Sequence, residues 1–190
     1  NSRTRRIWIK SYEQNSNKMR PKVKIVHSNY YYHEVIEAMV ILAKKNLKDS
    51  GIDTDTIGVP GSFEIPYEIA RSIKEDTINN EYKIGSFKGK EKKEIRNNIV
   101  QIAKLSQLNL KNQCMYSGYL ALGCIIKGKT VNHVAISTSI FTNLQRISIE
   151  NIIPIANGIF NANNISEALK KYSKCTKQAI DVLNKFLKYK

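Results

Sequence analysis

The period of the apolar residues changes several times along the chain, and each change marks an element. The run KVKIVH (Lys22 to His27) reads as a buried strand, and from His33 to Asp49 the residues Val35, Ile36, Met39, Val40, Ala43 and Leu47 recur at helical spacing. Asp55 to Val59 is a very short strand candidate. It is followed by the Pro60-Gly61 turn signal and an amphipathic segment, Phe63 to Ile73, in which Ile65, Ile69 and Ile73 lie four apart. Tyr116 to Ile126 (YSGYLALGCII) is a near-continuous apolar run of the kind a parallel strand covered on both faces requires, and is expected to be the central strand. Beyond a GKT turn, Ile136, Ile140, Leu144 and Ile147 predict a helix over Val134 to Ile149, and Ile152 to Phe160 predicts a strand around Pro154 and Gly158. Ser166, with Glu167 beside it, can start a last helix, which Ala168, Leu169, Tyr172, Ala179, Ile180, Leu183 and Leu187 carry to the terminus. Four such β-α steps predict an α/β fold, a parallel sheet with helices on both faces.

Two stretches stand outside this rhythm. Asn1 to Pro21 is polar and basic around Ile7-Trp8-Ile9, which predicts a flexible N-terminal arm with one short edge strand. Asn79 to Gln113 carries eight basic against three acidic residues and then Ile95, Ile99, Ile102 and Leu105 at helical spacing, which predicts a surface insertion containing a short helix. The expected organisation is therefore an arm over 1–21 and one domain over 22–190 interrupted at 79–113.

Composition narrows the class. A chain of 190 residues, 42% hydrophobic, has room for one core of this kind and not for two. Four Pro, nine Gly and no apolar run near the roughly 20 residues of a membrane span exclude collagen-like and transmembrane classes. The net charge of +15 would attract anions, non-specific nucleic acid included, although a composition rich in Lys, Asn and Ile is also what AT-rich coding DNA produces. Cys114, Cys124 and Cys175 form no CxxC pair, and His27, His33 and His133 have no ligand spacing, so neither a metal site nor a disulfide framework is expected. The expected compartment is the cytoplasm.

In an open α/β sheet ligands bind beyond the carboxyl ends of the strands, which directs attention to Val59 to Glu64, Ile126 to His133 and Gly158 to Asn161. In VPGSFE, Gly61 allows close approach of the backbone, and Ser62, Phe63 and Glu64 open a helix whose N–H groups suit a carbonyl or polyol; an ordinary turn with Phe63 in the core fits equally. In KGKTVNH, Gly128, Lys129 and Thr130 precede a helix, so N–H groups, a hydroxyl and an ammonium converge as a phosphate would require, without the glycine spacing of a Walker motif. His133 titrates in the range useful for proton transfer, or is simply an exposed histidine. Tyr30, Tyr31 and Tyr32 could stack on a planar ring or cover a helix end.

Taken in order, KVKIVHSNYYYHEVI, GVPGSFEIP, LALGCIIKGKTVNH, NIIPIANGIF and the ISEAL start of the last helix resemble the lumazine synthase family. The resemblance implies a flavodoxin-like three-layer α/β/α sandwich around a four-stranded parallel sheet. It implies homo-oligomers, pentamers or icosahedral shells of sixty, with active sites between adjacent subunits. The implied reaction is of the transferase class. It condenses 5-amino-6-ribitylaminouracil with 3,4-dihydroxy-2-butanone 4-phosphate in riboflavin biosynthesis, releasing phosphate and water without cofactor, metal or membrane. By the same resemblance Tyr30 would stack on the pyrimidine and Ser62, Phe63 and Glu64 would face the ribityl chain. Cys124, Ile125 and Ile126 would contact the pyrimidine edge through backbone groups, and Lys129 and Thr130 would hold phosphate.

Departures fall on the chemistry. The family's proton-transferring histidine aligns with Asn132, and the histidine here is His133, about 100° further round a helix. The family's arginine on the last helix aligns with Lys171, which keeps the charge and loses the fork, and the phenylalanine that a neighbouring subunit contributes aligns with Asn157. Two functions fit: a synthase with weakened catalysis, or a catalytically degenerate shell or ligand-binding scaffold of the same fold.

Overall fold

The computed structural model describes residues 20–85 and 115–188. The expected arm and most of the expected insertion lie outside the described residues. The described chain runs β1 (Lys22–Ser28), a π-helical turn at Tyr32–Ile36, α1 (Glu37–Asp49), β2 (Asp53–Val59), a 3-10 turn at Ser62–Glu64, and α2 (Ile65–Gly85). After the gap come β3 (Gly118–Ile126), α3 (Asn132–Asn151), β4 (Ile155–Ala162) and α4 (Ile165–Lys188).

All four strands are parallel in the order β2-β1-β3-β4, so the chain steps outward from β1 to β2, then returns past β1 to build β3 and β4. The direction reverses between β1 and β3, and that crevice is where ligands enter such sheets. Strand alternation divides the core in two. Val23, Ile25, Leu120, Leu122 and Cys124 pack under α1 and α4, while Val26, Val59, Tyr119, Ala121 and Ile125 pack under α2 and α3. This is the three-layer sandwich, and β3, buried on both faces, explains the unbroken apolar run in its sequence.

Several boundaries move, each for a visible reason. β2 is longer than the sequence suggests, seven residues matched one for one with β1 from Lys22↔Asp53 to Ser28↔Val59. Main-chain pairing recruits Asp53 and Thr54, whose side chains gave no signal. Ile152 does not open β4: it sits at φ 51° as the left-handed cap of α3, 75% exposed, and the strand begins at Ile155. Gly158 to Asn161 is consequently not a turn but the second half of β4. Ser166 does not start α4 either. Asn164 Oδ1 accepts the Glu167 N–H at 2.9 Å while the Glu167 carboxylate accepts the Asn163 N–H at 2.8 Å, a reciprocal cap one step earlier. α2 runs on through Asn79 to Gly85, so the first residues assigned to the insertion continue a helix.

Candidate active site

Parallel strands bring four turns to one edge of the sheet. After β1, the buried Ser28 hydroxyl accepts the Tyr30 N–H at 3.0 Å, and Tyr31 follows at φ 59°, ψ 34°. A tyrosine in the left-handed region is strained, and such strain concentrates at functional turns. Its carbonyl accepts the N–H groups of Val35 and Ile36 at 3.0 and 3.2 Å, which anchors the π-helical turn. Tyr30 is left 63% exposed, its ring braced edge-on by Tyr31 at 4.6 Å between centroids. A face presented outward in this way is able to stack on a planar ring.

The turn after β2 is built by two close approaches. Gly61 is extended, and a Cβ on it would come within 3.0 Å of Glu64 Oε2, so the glycine leaves room for the carboxylate to fold back. Ser62 is buried against β3: a Cβ on Gly123 would lie 2.6 Å from Ser62 Oγ. This seat ties the second turn to the strand that carries Cys124. Phe63 is 59% exposed, contrary to a place in the core, and the Glu64 N–H turns back toward Gly61 O at 3.4 Å, so it is not wholly free for a ligand.

β3 outruns β1. Their pairing ends at His27↔Leu122, whereas β3 continues through Cys124, Ile125 and Ile126 with only β4 beside it. The β1-facing main-chain edge of those residues therefore has no strand partner and stands open at the crevice. The Cys124 thiol is pushed up to about 12 by burial and by Cys175 nearby, which keeps it protonated and non-nucleophilic.

Beyond β3, residues Lys127 to Asn132 are all exposed. No side chain caps α3; the Val134 N–H turns back to Val131 O at 3.0 Å, and the N–H groups of Asn132 and His133 have no described partner in this exposed turn, which also carries Lys129 and Thr130. His133 Nδ1 is 3.2 Å from the Thr130 carbonyl. A carbonyl only accepts, so Nδ1 is the donor in this contact.

The remaining predicted residues are not gathered here within one chain. Lys171 lies on the exposed side of α4 and is ion-paired with Glu167 one turn earlier. Asn157 is exposed in the middle of β4, its Oδ1 accepting the Ile159 N–H of its own strand at 2.9 Å. Neither residue has a described contact with Lys129 or Thr130.

Sequence patterns missed part of the wall. A cleft of about 750 Å³ at the end of β1 is lined by His27, Asn29, Tyr30, Tyr31, Tyr32, His33, Glu34 and Gly58. His27 is 7% exposed and stacks at 5.4 Å on Tyr32; burial, opposed by a hydrogen bond with the Ser28 carbonyl and helped by Lys44, lowers its pKa and keeps it neutral. The available signal is a histidine directly after the apolar pair Ile25-Val26 of a buried strand. Among the described residues no cluster of His, Cys, Asp or Glu is placed to hold a metal, and no helix is long and apolar enough to cross a membrane.

The geometry agrees with comparison to known proteins. The family model for 6,7-dimethyl-8-ribityllumazine synthase matches residues 20–85 and 95–188. The chain is 27% identical over 150 residues to the 6,7-dimethyl-8-ribityllumazine synthase of Afipia carboxidovorans, covering 79% of this chain and 71% of that one. It is 26% identical over 148 residues to the synthase of Bartonella bacilliformis, covering 78% and 73%. A shorter stretch of 62 residues, 33% of this chain and 39% of the other, is 44% identical to the synthase of Buchnera aphidicola subsp. Baizongia pistaciae. Matched by that family model over most of its length, the chain belongs to the 6,7-dimethyl-8-ribityllumazine synthase family.

Proposed function

We propose that the protein condenses 5-amino-6-ribitylaminouracil with 3,4-dihydroxy-2-butanone 4-phosphate, with weaker acid-base assistance than the family pattern supplies. The observation that carries this reading is the seat of Ser62 against Gly123, which joins a polyol-binding turn to the open edge of β3. Tyr30 stacks on the pyrimidine, the Ser62–Glu64 turn takes the ribityl hydroxyls, and the main chain of Cys124 to Ile126 reads the ring edge. Lys129, Thr130 and the uncapped α3 N-terminus hold the phosphate. The ring amine attacks the ketone and water leaves as the imine forms; phosphate is then eliminated to an enol that tautomerises to a second carbonyl, which the ribityl-bearing nitrogen attacks, and a second water leaves as the ring closes.

Asn132 cannot transfer a proton, and His133 is the one imidazole carried by the turn. Placing two substrates side by side supplies much of the acceleration, and losing a general acid-base costs about 100- to 10,000-fold. We further propose a homo-oligomer, a pentamer or an assembly of pentamers. Exposed Phe63 and Tyr67, at the head of a groove of about 730 Å³ between α2 and α3, are surfaces a second copy would cover. Lys171 and Asn157 then reach the phosphate and pyrimidine of an adjacent subunit. A degenerate scaffold is the second reading, favoured by the engagement of Lys171 with Glu167.

The experiment mixes both substrates and follows 6,7-dimethyl-8-ribityllumazine fluorescence against a no-enzyme control. The expected rate exceeds background and rises at least tenfold with Asn132→His plus Lys171→Arg. A rate equal to background in both proteins would establish the scaffold instead.

A further inference from the structure

The layer between the sheet and α2 holds a partly buried ammonium. Lys24, in the middle of β1, points to the same side as Val26, and its side chain is 13% exposed. Its Nζ donates to Ser72 Oγ at 2.7 Å and stands 3.7 Å from Glu68 Oε1. Glu68, 7% exposed at its side chain, takes Arg71 through both carboxylate oxygens at 2.9 Å and the Ser72 hydroxyl at 3.2 Å. Each desolvated group has a partner, so the cluster is tolerated. An apolar replacement of similar volume would commonly be as stable, which means that stability does not explain the charges.

The apolar seam of α2 leaves its orientation loosely set. Ile65, Ile69 and Ile73, all buried, present the same side chain at successive turns, and such contacts are non-directional. Ser62, seated on Gly123, anchors the turn that leads into the helix but not the helix itself. Further along, the buried Asp76 accepts a main-chain hydrogen bond from Tyr116 and pins the far turn, so the orientation of the stretch between these two anchors is what remains. Glu68 and Ser72 are one turn apart on α2, so two directional contacts to the single Lys24 define the line of the helix that must face β1. Glu68 lies one turn beyond Glu64, so any rotation at this clamp is transmitted to the turn that would receive the ribityl chain.

Resting on the function proposed above, we infer that Lys24, Glu68 and Ser72 form a positioning clamp that orients the Ser62–Glu64 turn toward its ligand. The clamp touches no ligand and acts only through α2. Its loss therefore weakens recognition of the ribityl-pyrimidine and spares the phosphate site, which is built on the separate turn between β3 and α3.

The test compares the full-length wild type with Lys24→Met/Glu68→Leu and with the milder Glu68→Gln. The probes are 6,7-dimethyl-8-ribityllumazine, followed by fluorescence, and inorganic phosphate, followed by calorimetry; amide exchange is read over Ile65 to Ile73. The double variant is expected to melt within a few degrees of wild type, bind phosphate equally and bind the lumazine about tenfold more weakly, as misplacement near an ångström produces. Glu68→Gln is expected to lose about threefold for the lumazine, with faster exchange in α2 and unchanged exchange in α4. Wild-type lumazine affinity in the double variant overturns the clamp, as does an equal loss for both ligands, which would mark a purely structural role. Should the double variant not fold, unchanged exchange and affinity in Glu68→Gln overturn it. Failure of the wild type to bind the lumazine would instead overturn the proposed reaction, and α2 exchange in Glu68→Gln would still decide whether the clamp exists.

Discussion

The two ends of the sheet treat polar groups in opposite ways. At the amino end Lys22 reaches Asp55 at 2.7 Å, the Tyr116 hydroxyl donates to the same carboxylate at 2.6 Å, and Lys22 and Lys24 lie 5.6 and 5.4 Å from the Tyr116 ring centroid. The Asp53 and Ser117 N–H groups are taken by Pro21 O and Lys22 O at 3.0 and 2.7 Å. Lys22, with Tyr116 second, holds the Asp55 carboxyl below its usual range, while burial and Asp55 push the Tyr116 phenol up. At the carboxyl end the turn before α3 is exposed and uncapped, and Tyr30, Phe63 and Val131 are 63%, 59% and 78% exposed. Groups at one end are satisfied by one another, whereas those at the other face outward. Apart from the Lys24 clamp inferred above, the first end serves folding and the second is the proposed binding end, so damage to each should appear in a different measurement.

The sharpest way to separate the ends removes the proposed phosphate pair. Lys129→Ala with Thr130→Ala touches only exposed side chains, so the melting temperature should stay within about the range of a surface change of ±0.5 kcal/mol. Turnover should fall about 100- to 1,000-fold, the usual loss when donors to a developing anion are deleted. Steady-state rates and a thermal melt on the same sample check both halves. A melt that collapses along with the rate would refute the division.

Gly123→Ala probes the boundary between the regions. The added Cβ would meet Ser62 Oγ at 2.6 Å and Ile159 Cγ1 at 3.3 Å, so the Ser62–Glu64 turn must move away from β3. Overpacking of this kind costs about 1–3 kcal/mol, and displacement of the turn should weaken lumazine binding about tenfold. Denaturant titration and fluorescence binding should both change here, unlike in either neighbouring test.

Tyr116→Phe is the complementary cut. It removes the hydrogen bond to Asp55 and leaves the ring in place, so stability should drop by about 1.5 kcal/mol, the low end for a bond to a charged acceptor. Lumazine and phosphate affinities should be unchanged. Altered affinity would show that the Asp55–Tyr116 pair, and not only the Lys24 clamp, communicates with the site.

The same division explains what the sequence revealed. Elements whose burial is written in side-chain periodicity were legible: β1, β3, α3 and the apolar rows of α1 and α4 are recognisable because both faces or one stripe are covered. β2 was partly hidden because an edge strand is specified by main-chain pairing, to which Asp53 and Thr54 contribute without an apolar signal. Ile152 misled for the converse reason: its β-branched side chain suggests a strand, while helix termination forces it to φ 51°. At the site, turn residues such as Gly61, Lys129 and Thr130 were legible as local chemistry. The seat of Ser62 on Gly123 and the Lys24–Glu68 contact were not, since each joins residues more than forty positions apart.

The smallest effect concerns Glu167, where the binding end borrows a folding device. Its carboxylate is paired with Lys171 and accepts the main-chain and side-chain N–H groups of Asn163 at 2.8 and 2.7 Å, which together hold its pKa down to about 2. A carboxyl whose folded pKa lies below its unfolded value of about 4.3 contributes stability that is fully present above that pH and is lost as the pH falls toward about 2. Thermal melts of wild type and Glu167→Gln should therefore differ modestly at pH 6, the difference shrinking between about pH 4.3 and pH 2 and vanishing at the lower end. Because the pair is open to solvent, added salt should also reduce the difference at pH 6. A difference that persists unchanged at pH 2 would mean that the cap works through shape alone, and that Lys171 is free to turn toward an anion without any cost from leaving Glu167.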